Sequence, residues 1–484
     1  MKFRLPSDGR RLFVLNAAAG GVASLAKIGI QLALLPIMAR LLGPEEYGLY
    51  ALALPTVAFF TVLADGGIGL SLARERETST LVWSTAFWLL LGSCSVIAVI
   101  VTGLGFVLGM VSDQPRLPGI VALLSVSFLL MAISALPAAR LVRRGNLVLH
   151  SAGDISSTVV GAGVAILLAL QGAGAWSLAA QYVVGFVVRA VIFNVAAFER
   201  PTLAFDFSAI WPHVSTGGSV IGSRLAEFVG RAMENLLYGQ AFGPAALGAY
   251  TLANQIPRFL CEAAGNPIWG ALYAHALREE PRHVQPVHAR LTHLLALVLF
   301  PAAALLTASA PQVFSIAFGP KWVASTGLIQ ILLPFYALNA VAGQCGAVLL
   351  ANGRGGAMFW TLSGLSAGRL LAVLAGPWIG VHAVALGVGA ANVAYAIAMF
   401  TTLGLTTGYS PKALLRSLAV PILASAVSSW VYLQVIDENA VTIVRTTLSL
   451  MAGFGAYLVV LVILEHRELL AVVSTLRRLA TRGA

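Results

Sequence analysis

Charge is scarce in this sequence, and acidic charge is scarcest. Asp, Glu, Lys and Arg make up 10% of the residues, with 19 acids against 30 bases, where an ordinary soluble domain carries about 25% charged residues. With 58% apolar residues and a mean hydropathy of +0.87, the soluble globular class is excluded. Cysteine is nearly absent. Cys94, Cys261 and Cys345 all fall in apolar runs at no metal-ligand spacing, so they read as small apolar residues and not as a disulfide framework or a metal site. The phosphate-cradling G-x-x-x-x-G-K-[ST] loop is missing, and Gly319-Pro320-Lys321 is followed by Trp322, so nothing supports ATP hydrolysis. No pair of carboxylates sits on a water-facing loop as glycosyl transfer or hydrolysis requires. His275, His283, His288 and His293 share no H-E-x-x-H spacing and read as solvated loop and helix-end residues. No cofactor, metal or bond-making chemistry is expected.

What the chain has is long apolar runs. Fourteen are long enough to cross a bilayer as helices, at about 20 residues each: 14–40, 47–71, 82–110, 118–142, 150–171, 174–198, 214–240, 246–272, 288–312, 324–350, 357–378, 380–404, 413–435 and 443–465. Gly376-Pro377 blurs the break between the runs in 357–404. The first run follows Arg10 and Arg11 as in a signal peptide but continues past Lys27 to Leu42. That is too long for a cleavable apolar core, so a retained first span is expected.

The formal charge of +11 suggests nucleic acid until it is laid on these spans. Twenty of the 30 bases fall in the N-terminus, the even-numbered loops and the C-terminus, Arg140, Arg143, Arg144 and Arg200 among them. Four lie near the opposite face (Arg40, Arg116, Lys321 and Arg445), and six lie inside apolar runs (Lys27, Arg189, Arg224, Arg231, Arg258 and Arg369). That bias predicts cytoplasmic termini and an even number of spans, and no nucleic-acid partner. The non-cytoplasmic stretches near 171–174, 239–244 and 436–440 are short, and the polar stretch 274–290 reads as a cytoplasmic bridge.

One segment occurs twice, 200 positions apart. Gly43-Pro44-Glu45-Glu46-Tyr47-Gly48-Leu49-Tyr50-Ala51-Leu52-Ala53 recurs as Gly243-Pro244-Ala245-Ala246-Leu247-Gly248-Ala249-Tyr250-Thr251-Leu252-Ala253, and Leu25-Ala26 with Leu225-Ala226 extend the register. Each copy joins two apolar runs, so a duplicated all-α membrane bundle is predicted. Its parts are an N-terminal lobe over 1–205, a second six-helix lobe over 206–408 and two further helices with a basic tail over 409–484. Two parallel halves facing a central site is a transporter architecture.

Ionisable groups inside a bilayer cost on the order of 2.5–3.5 kcal/mol each and persist where they face protein, water or a polar ligand. The seventh run holds Arg224, Glu227, Arg231 and Glu234 at spacings of 3, 4 and 3, one face of a helix, and Asn235 and Tyr238 extend the stripe. Glu227 matches Lys27 at the 200-residue offset, so the two are candidates to pair. Arg258, Glu262 and Asn266 share one face of the eighth run, and Asp65 lies in the matching second run. Arg189 and Arg369 read as isolated. Pairs within one helix (Arg224–Glu227, Arg231–Glu234, Arg258–Glu262) explain these charges structurally. A polar cavity for an anionic or sugar-rich solute explains why they gather on adjacent helices, and Arg suits phosphate because its planar fork binds two oxygens at once. Pro36, Pro55, Pro137, Pro257, Pro267, Pro301 and Pro334 permit kinks within the runs.

Ala39-Arg40-Leu41-Leu42-Gly43-Pro44-Glu45-Glu46-Tyr47-Gly48-Leu49-Tyr50 resembles the first-loop signature of Wzx-type polysaccharide flippases. Gly172-Ala173-Gly174-Ala175-Trp176-Ser177-Leu178 and Phe318-Gly319-Pro320-Lys321-Trp322 resemble that family's motifs between spans five and six and spans nine and ten. The family belongs to the multidrug/oligosaccharidyl-lipid/polysaccharide exporter superfamily, which also holds lipid II flippases and drug exporters. The resemblance implies two six-helix lobes plus two C-terminal helices in a bacterial inner membrane. It implies movement of a polyprenyl-diphosphate-linked oligosaccharide to the outer leaflet, driven by a proton or sodium gradient, among membrane lipids and alongside a polysaccharide polymerase and a chain-length regulator. By span, Lys27, Arg224, Arg231 and Arg258 take the family's basic cavity positions, with Asn235 and Tyr238 beside them. Glu227, Glu234, Glu262 and Asp65 are left for charge balance or ion coupling. A lipid II or drug exporter is the nearest rival, and a membrane polymerase, ligase or assembly scaffold is more distant.

Overall fold

The computed structural model describes the backbone of residues 26–27, 29–65, 72, 80–144, 146–277, 279, 281–409, 411–436 and 442–482. It describes the side chains there except at 62, 65, 147, 209–229, 274, 281–282, 323–324, 411–417 and 466–482. All regular structure among the described residues is helical. Ten stretches are long and apolar enough to cross a membrane. They correspond to the predicted runs from 82–110 to 174–198 and from 288–312 to 443–465. These are α3 (Thr80–Val111), α4 (Leu117–Arg143), α5 (Leu147–Leu170), α6 (Ala175–Ala197), α8 (Pro281–Ala308), α10 (Val323–Ala342) continuing into α11 (Gln344–Ala351), α12 (Gly355–Leu374), α14 (Val381–Thr407), α15 (Pro411–Val435) and α16 (Ile443–Arg482). Short helices α9 (Ala310–Ala317) and α13 (Gly376–Ile379) fill two connections. Helices α1 (Gly29–Leu42), α2 (Pro44–Asp65) and the long α7 (Phe207–Ala276) complete the set.

The chain divides into two compact units, one ending at Thr251 and the other beginning at Leu252. In the first, α4 packs on α3, α6 and α2, and α5 packs on α6. In the second, α8 packs on α15 and α10, α14 packs on α10 and α12, and α16 packs on α15. Large apolar side chains stand on the outside of both units: Val99 is 75% exposed, Met110 81%, Trp360 74% and Leu405 89%. Apolar surface on this scale suits lipid as the solvent and not water.

The repeated segment has a local cause. Gly43 and Gly243 take φ of +84° and +82°, a region that only glycine enters at little cost. The proline after each starts the next helical stretch, where its missing N–H costs nothing. The chain therefore breaks between α1 and α2, and α7 breaks at Gly243 (ψ 171°). Within the first unit the two copies cross each other. A Cβ on Gly48 would overlap the carbonyl oxygen of Pro244, and a Cβ on Gly248 would overlap that of Pro44. The reciprocity is that of a local two-fold axis, and it explains why glycine recurs at this offset.

The predicted bridge over 274–290 is mostly helix, since α8 begins at Pro281. His288 and His293 are not solvated, contrary to the expectation from spacing. His288 is 1% exposed and His293 9%, and His293 Nε2 lies 3.0 Å from Glu465 Oε2, where α16 kinks.

Candidate functional site

The stripe on α7 is placed in part. The side chains of Arg224, Glu227 and Asp65 lie outside the described residues, and Lys27 is exposed. The proposed Lys27–Glu227 pairing therefore also falls outside them. Arg231 is half-buried. Glu234 is 5% exposed and accepts a 2.6 Å hydrogen bond from the Tyr250 hydroxyl. The Tyr250 ring stacks on Tyr238 with centroids 4.1 Å apart. Tyr238 is fully buried, and its hydroxyl has no hydrogen-bond partner among the described residues. Asn235 Nδ2 donates to the Ala51 carbonyl at 3.3 Å. The break at Gly243 thus folds Tyr250 back over the turn that carries Glu234 and Tyr238, a contact between residues 16 positions apart that helical spacing cannot produce.

Past the break, Arg258 Nε lies 3.7 Å from Glu262 Oε1, with side chains 41% and 51% exposed. This is the within-helix pair that the i, i+4 spacing allows. The Arg258 guanidinium also sits 5.8 Å from the Phe259 ring centre.

The two arginines that read as isolated both have partners. In the first unit, Arg189 Nε lies 3.1 Å from Asp154 Oδ1, and His150 Nδ1 lies 3.6 Å from Asp154 Oδ2. The His150 ring stacks on Phe193 at 5.0 Å, and the Arg189 guanidinium lies 5.5 Å from the same ring. This is a charged cluster between α5 and α6. In the second unit, Arg369 Nη2 donates to the Tyr336 hydroxyl at 2.9 Å and lies 3.5 Å from Asn254 Oδ1. Tyr336 donates to the same amide oxygen at 2.7 Å. Three helices (α7, α10 and α12) thereby place one cation, one phenol and one amide together. Sequence reasoning missed Asp154, His150, Tyr336 and Asn254. The available signal was that each lies in an apolar run with a polar residue facing it from a neighbouring helix, and that facing requires the fold.

Glu46 was also missed. Its Oε1 accepts from Arg116 Nη2 at 2.7 Å and its Oε2 from the Ala175 N–H at 2.7 Å. It therefore caps the N-terminus of α6 just after Gly174, whose φ is +57°. Two of the motifs noted in the sequence meet at this residue. Among the described residues no group of three His, Cys, Asp or Glu side chains converges as a metal site.

Charged and polar side chains held among membrane-length apolar helices define a polytopic membrane protein. The comparisons agree. Residues 37–326 match the family model described as polysaccharide biosynthesis protein, and the chain belongs to that family. It is 23% identical over 354 residues to the lipopolysaccharide biosynthesis protein WzxC of Escherichia coli (strain K12), covering 71% of each chain. It is 23% identical over 358 residues to the succinoglycan biosynthesis transport protein ExoT of Rhizobium meliloti (strain 1021), covering 73% of this chain and 72% of that one. Its fold is that of the lipid II flippase MurJ in an inward closed conformation, with a TM-score of 0.73 at 10% identity over 94% of this chain and 100% of that one. An inward-facing multidrug resistance MATE family transporter of the MOP superfamily aligns with a TM-score of 0.61 at 14% identity, over 81% of this chain and 96% of that one. The chain is a multi-pass membrane transporter of polysaccharide biosynthesis and not an enzyme.

Proposed function

We propose that this protein flips polyprenyl-diphosphate-linked oligosaccharide units from the cytoplasmic to the outer leaflet of a bacterial inner membrane, by ion-coupled alternating access. The observation that carries the reading is that a member of a polysaccharide biosynthesis family with ten membrane-length helices also keeps arginines within its helices, Arg189 and Arg369 on two of those ten and Arg231 and Arg258 on α7. A diphosphate headgroup is the cargo that repays such cations, because their hydrogen bonds replace the water that the bilayer denies it. In this reading fourteen helices form two six-helix lobes, 1–205 and 206–408, with the last two helices over 409–484 and both termini cytoplasmic. Lys27, Arg224, Arg231 and Arg258 meet the headgroup, with Asn235 and Tyr238 on the same face. Glu227, Glu234, Glu262 and Asp65 balance charge or bind the coupling proton or sodium ion. The polyprenyl tail stays in lipid, and a polymerase and chain-length regulator take the delivered unit.

The test is transbilayer movement of a labelled polyprenyl-diphosphate oligosaccharide in liposomes holding the purified protein. Wild type is compared with the double variant Arg224→Ala/Arg231→Ala, with and without a proton or sodium gradient. Movement that needs the protein, the gradient and both arginines is expected. Equal movement in the double variant overturns the headgroup assignment.

A further inference from the structure

The first unit carries a basic cleft that the transport reading does not use. Arg140, Arg143, Arg144, Glu199, Thr80 and Trp83 line a space of about 350 Å³, and Arg200 borders the smaller recess behind it. Among the described residues, four arginines and one carboxylate, Glu199, border the cleft and its recess.

The cleft is built, not incidental. Arg140 has an 11% exposed side chain, lies 4.7 Å over the Trp83 ring and donates to the Ala197 carbonyl at 3.3 Å. Glu199 holds Arg140 at 3.1 Å and Arg144 at 3.0 Å, one through each oxygen. The connection from α6 to α7 that forms one wall is pinned to α3. The Thr202 N–H donates to Ser84 Oγ at 2.9 Å, Trp88 Nε1 donates to the Thr202 carbonyl at 2.8 Å, and the Asp206 N–H donates to Thr85 Oγ1 at 3.0 Å.

A second observation fixes the depth of the cleft. The pinned connection and the first residue of α7 leave large apolar side chains exposed: Phe198 is 50% exposed, Leu203 88%, Phe205 53% and Phe207 46%. Aromatic and aliphatic side chains beside arginines, at the ends of membrane-length helices, belong where acyl chains meet headgroups. The arginines then stand at phosphate level, and basic pockets between helix ends at that level take anionic lipid headgroups.

We propose that this cleft binds the phosphate of a lipid headgroup of net negative charge in the leaflet it abuts, with Arg143 and Arg144 as the primary contacts and Arg140 and Glu199 as positioning residues. Two lipids present that chemistry, an anionic phospholipid and a polyprenyl diphosphate. The site stands on the geometry of the first unit alone and does not depend on the transport reading.

The test is native mass spectrometry of the full-length protein released from detergent. It is titrated separately with phosphatidylglycerol, undecaprenyl diphosphate and phosphatidylcholine, and wild type is compared with Arg143→Gln/Arg144→Gln. Both changes are at exposed positions and leave Arg140 packed on Trp83, and an unchanged unfolding temperature checks that the variant folds. Wild type is expected to hold at least one of the phosphate-monoanion or diphosphate lipids about tenfold more tightly than the double variant, about 1.4 kcal/mol, with phosphatidylcholine the same for both. Preference for phosphatidylglycerol identifies the bulk leaflet as the source. Preference for undecaprenyl diphosphate identifies the polyprenyl lipid. Equal retention of every lipid by wild type and double variant overturns the site.

Discussion

The two copies of the repeated segment share a backbone and differ in their chemistry. Both place glycine at a φ near +80°, both follow it with proline, and both present a second glycine to the other copy at the crossing. The first copy carries Glu46, which ties Arg116 to the start of α6, and the second carries Ala246 at that position. The second copy sets Tyr250 over Glu234, and the equivalent of Glu234 at the 200-residue offset is the buried Leu34. The helix crossing therefore preserves what its sterics demand and leaves the neighbouring positions free to take on separate roles.

The largest expected effect comes from the shared part. Gly48→Val and Gly248→Val each drive a side chain into the opposing proline carbonyl, so each is expected to lower stability by about 3 kcal/mol. Unfolding of the detergent-purified protein measures this. Similar losses in the two variants confirm a symmetric crossing, and a tolerated valine at either position breaks the two-fold relation.

The next effects test the divergence. Tyr250→Phe removes a donor from a buried carboxylate and is expected to cost about 2 kcal/mol, near the value for hydrogen bonds to charged groups. Tyr50→Phe is expected to cost less than half as much, because Leu34 stands where a carboxylate would be. Equal costs would show that the phenols serve packing in both copies. Glu46→Ala uncaps α6 and releases the half-exposed Arg116, with an expected loss of about 1.5 kcal/mol. Ala246→Glu in the other copy is expected to gain nothing, as measured by the same unfolding midpoint.

Hydropathy made the membrane class and ten of the spans legible, because a bilayer imposes one length and one polarity on every crossing. The repeat made the breaks at Gly43 and Gly243 legible, because a Gly-Pro step has a fixed backbone consequence. Side-chain partnership was not legible. Arg189 finds Asp154 on the preceding helix, and Arg369 finds Tyr336 and Asn254 on two others. Helical periodicity says which face a residue occupies but not what faces it. His288 and His293 show the same gap: a polar stretch with no metal spacing looks solvated until a helix is packed over it. The pair within one helix, Arg258–Glu262, was readable from spacing alone.

That pair gives the smallest expected effect on stability and a sharp separation of structure from function. Its atoms are 3.7 Å apart and its side chains 41% and 51% exposed. Exposed i, i+4 pairs are worth about 0.3–0.5 kcal/mol once solvent screening and side-chain entropy are counted. Arg258→Gln and Glu262→Gln should therefore each leave the unfolding midpoint nearly unchanged, in contrast to the glycines and Tyr250. If Arg258 meets a diphosphate headgroup, the first substitution lowers glycan movement in liposomes about tenfold or more, while the second leaves it intact or raises it by releasing the arginine. Equal, small effects of the two substitutions on movement would reduce the pair to a surface contact and move the headgroup site to the remaining cations of the spans. Unequal effects at equal stability would place Arg258 on the path of the substrate.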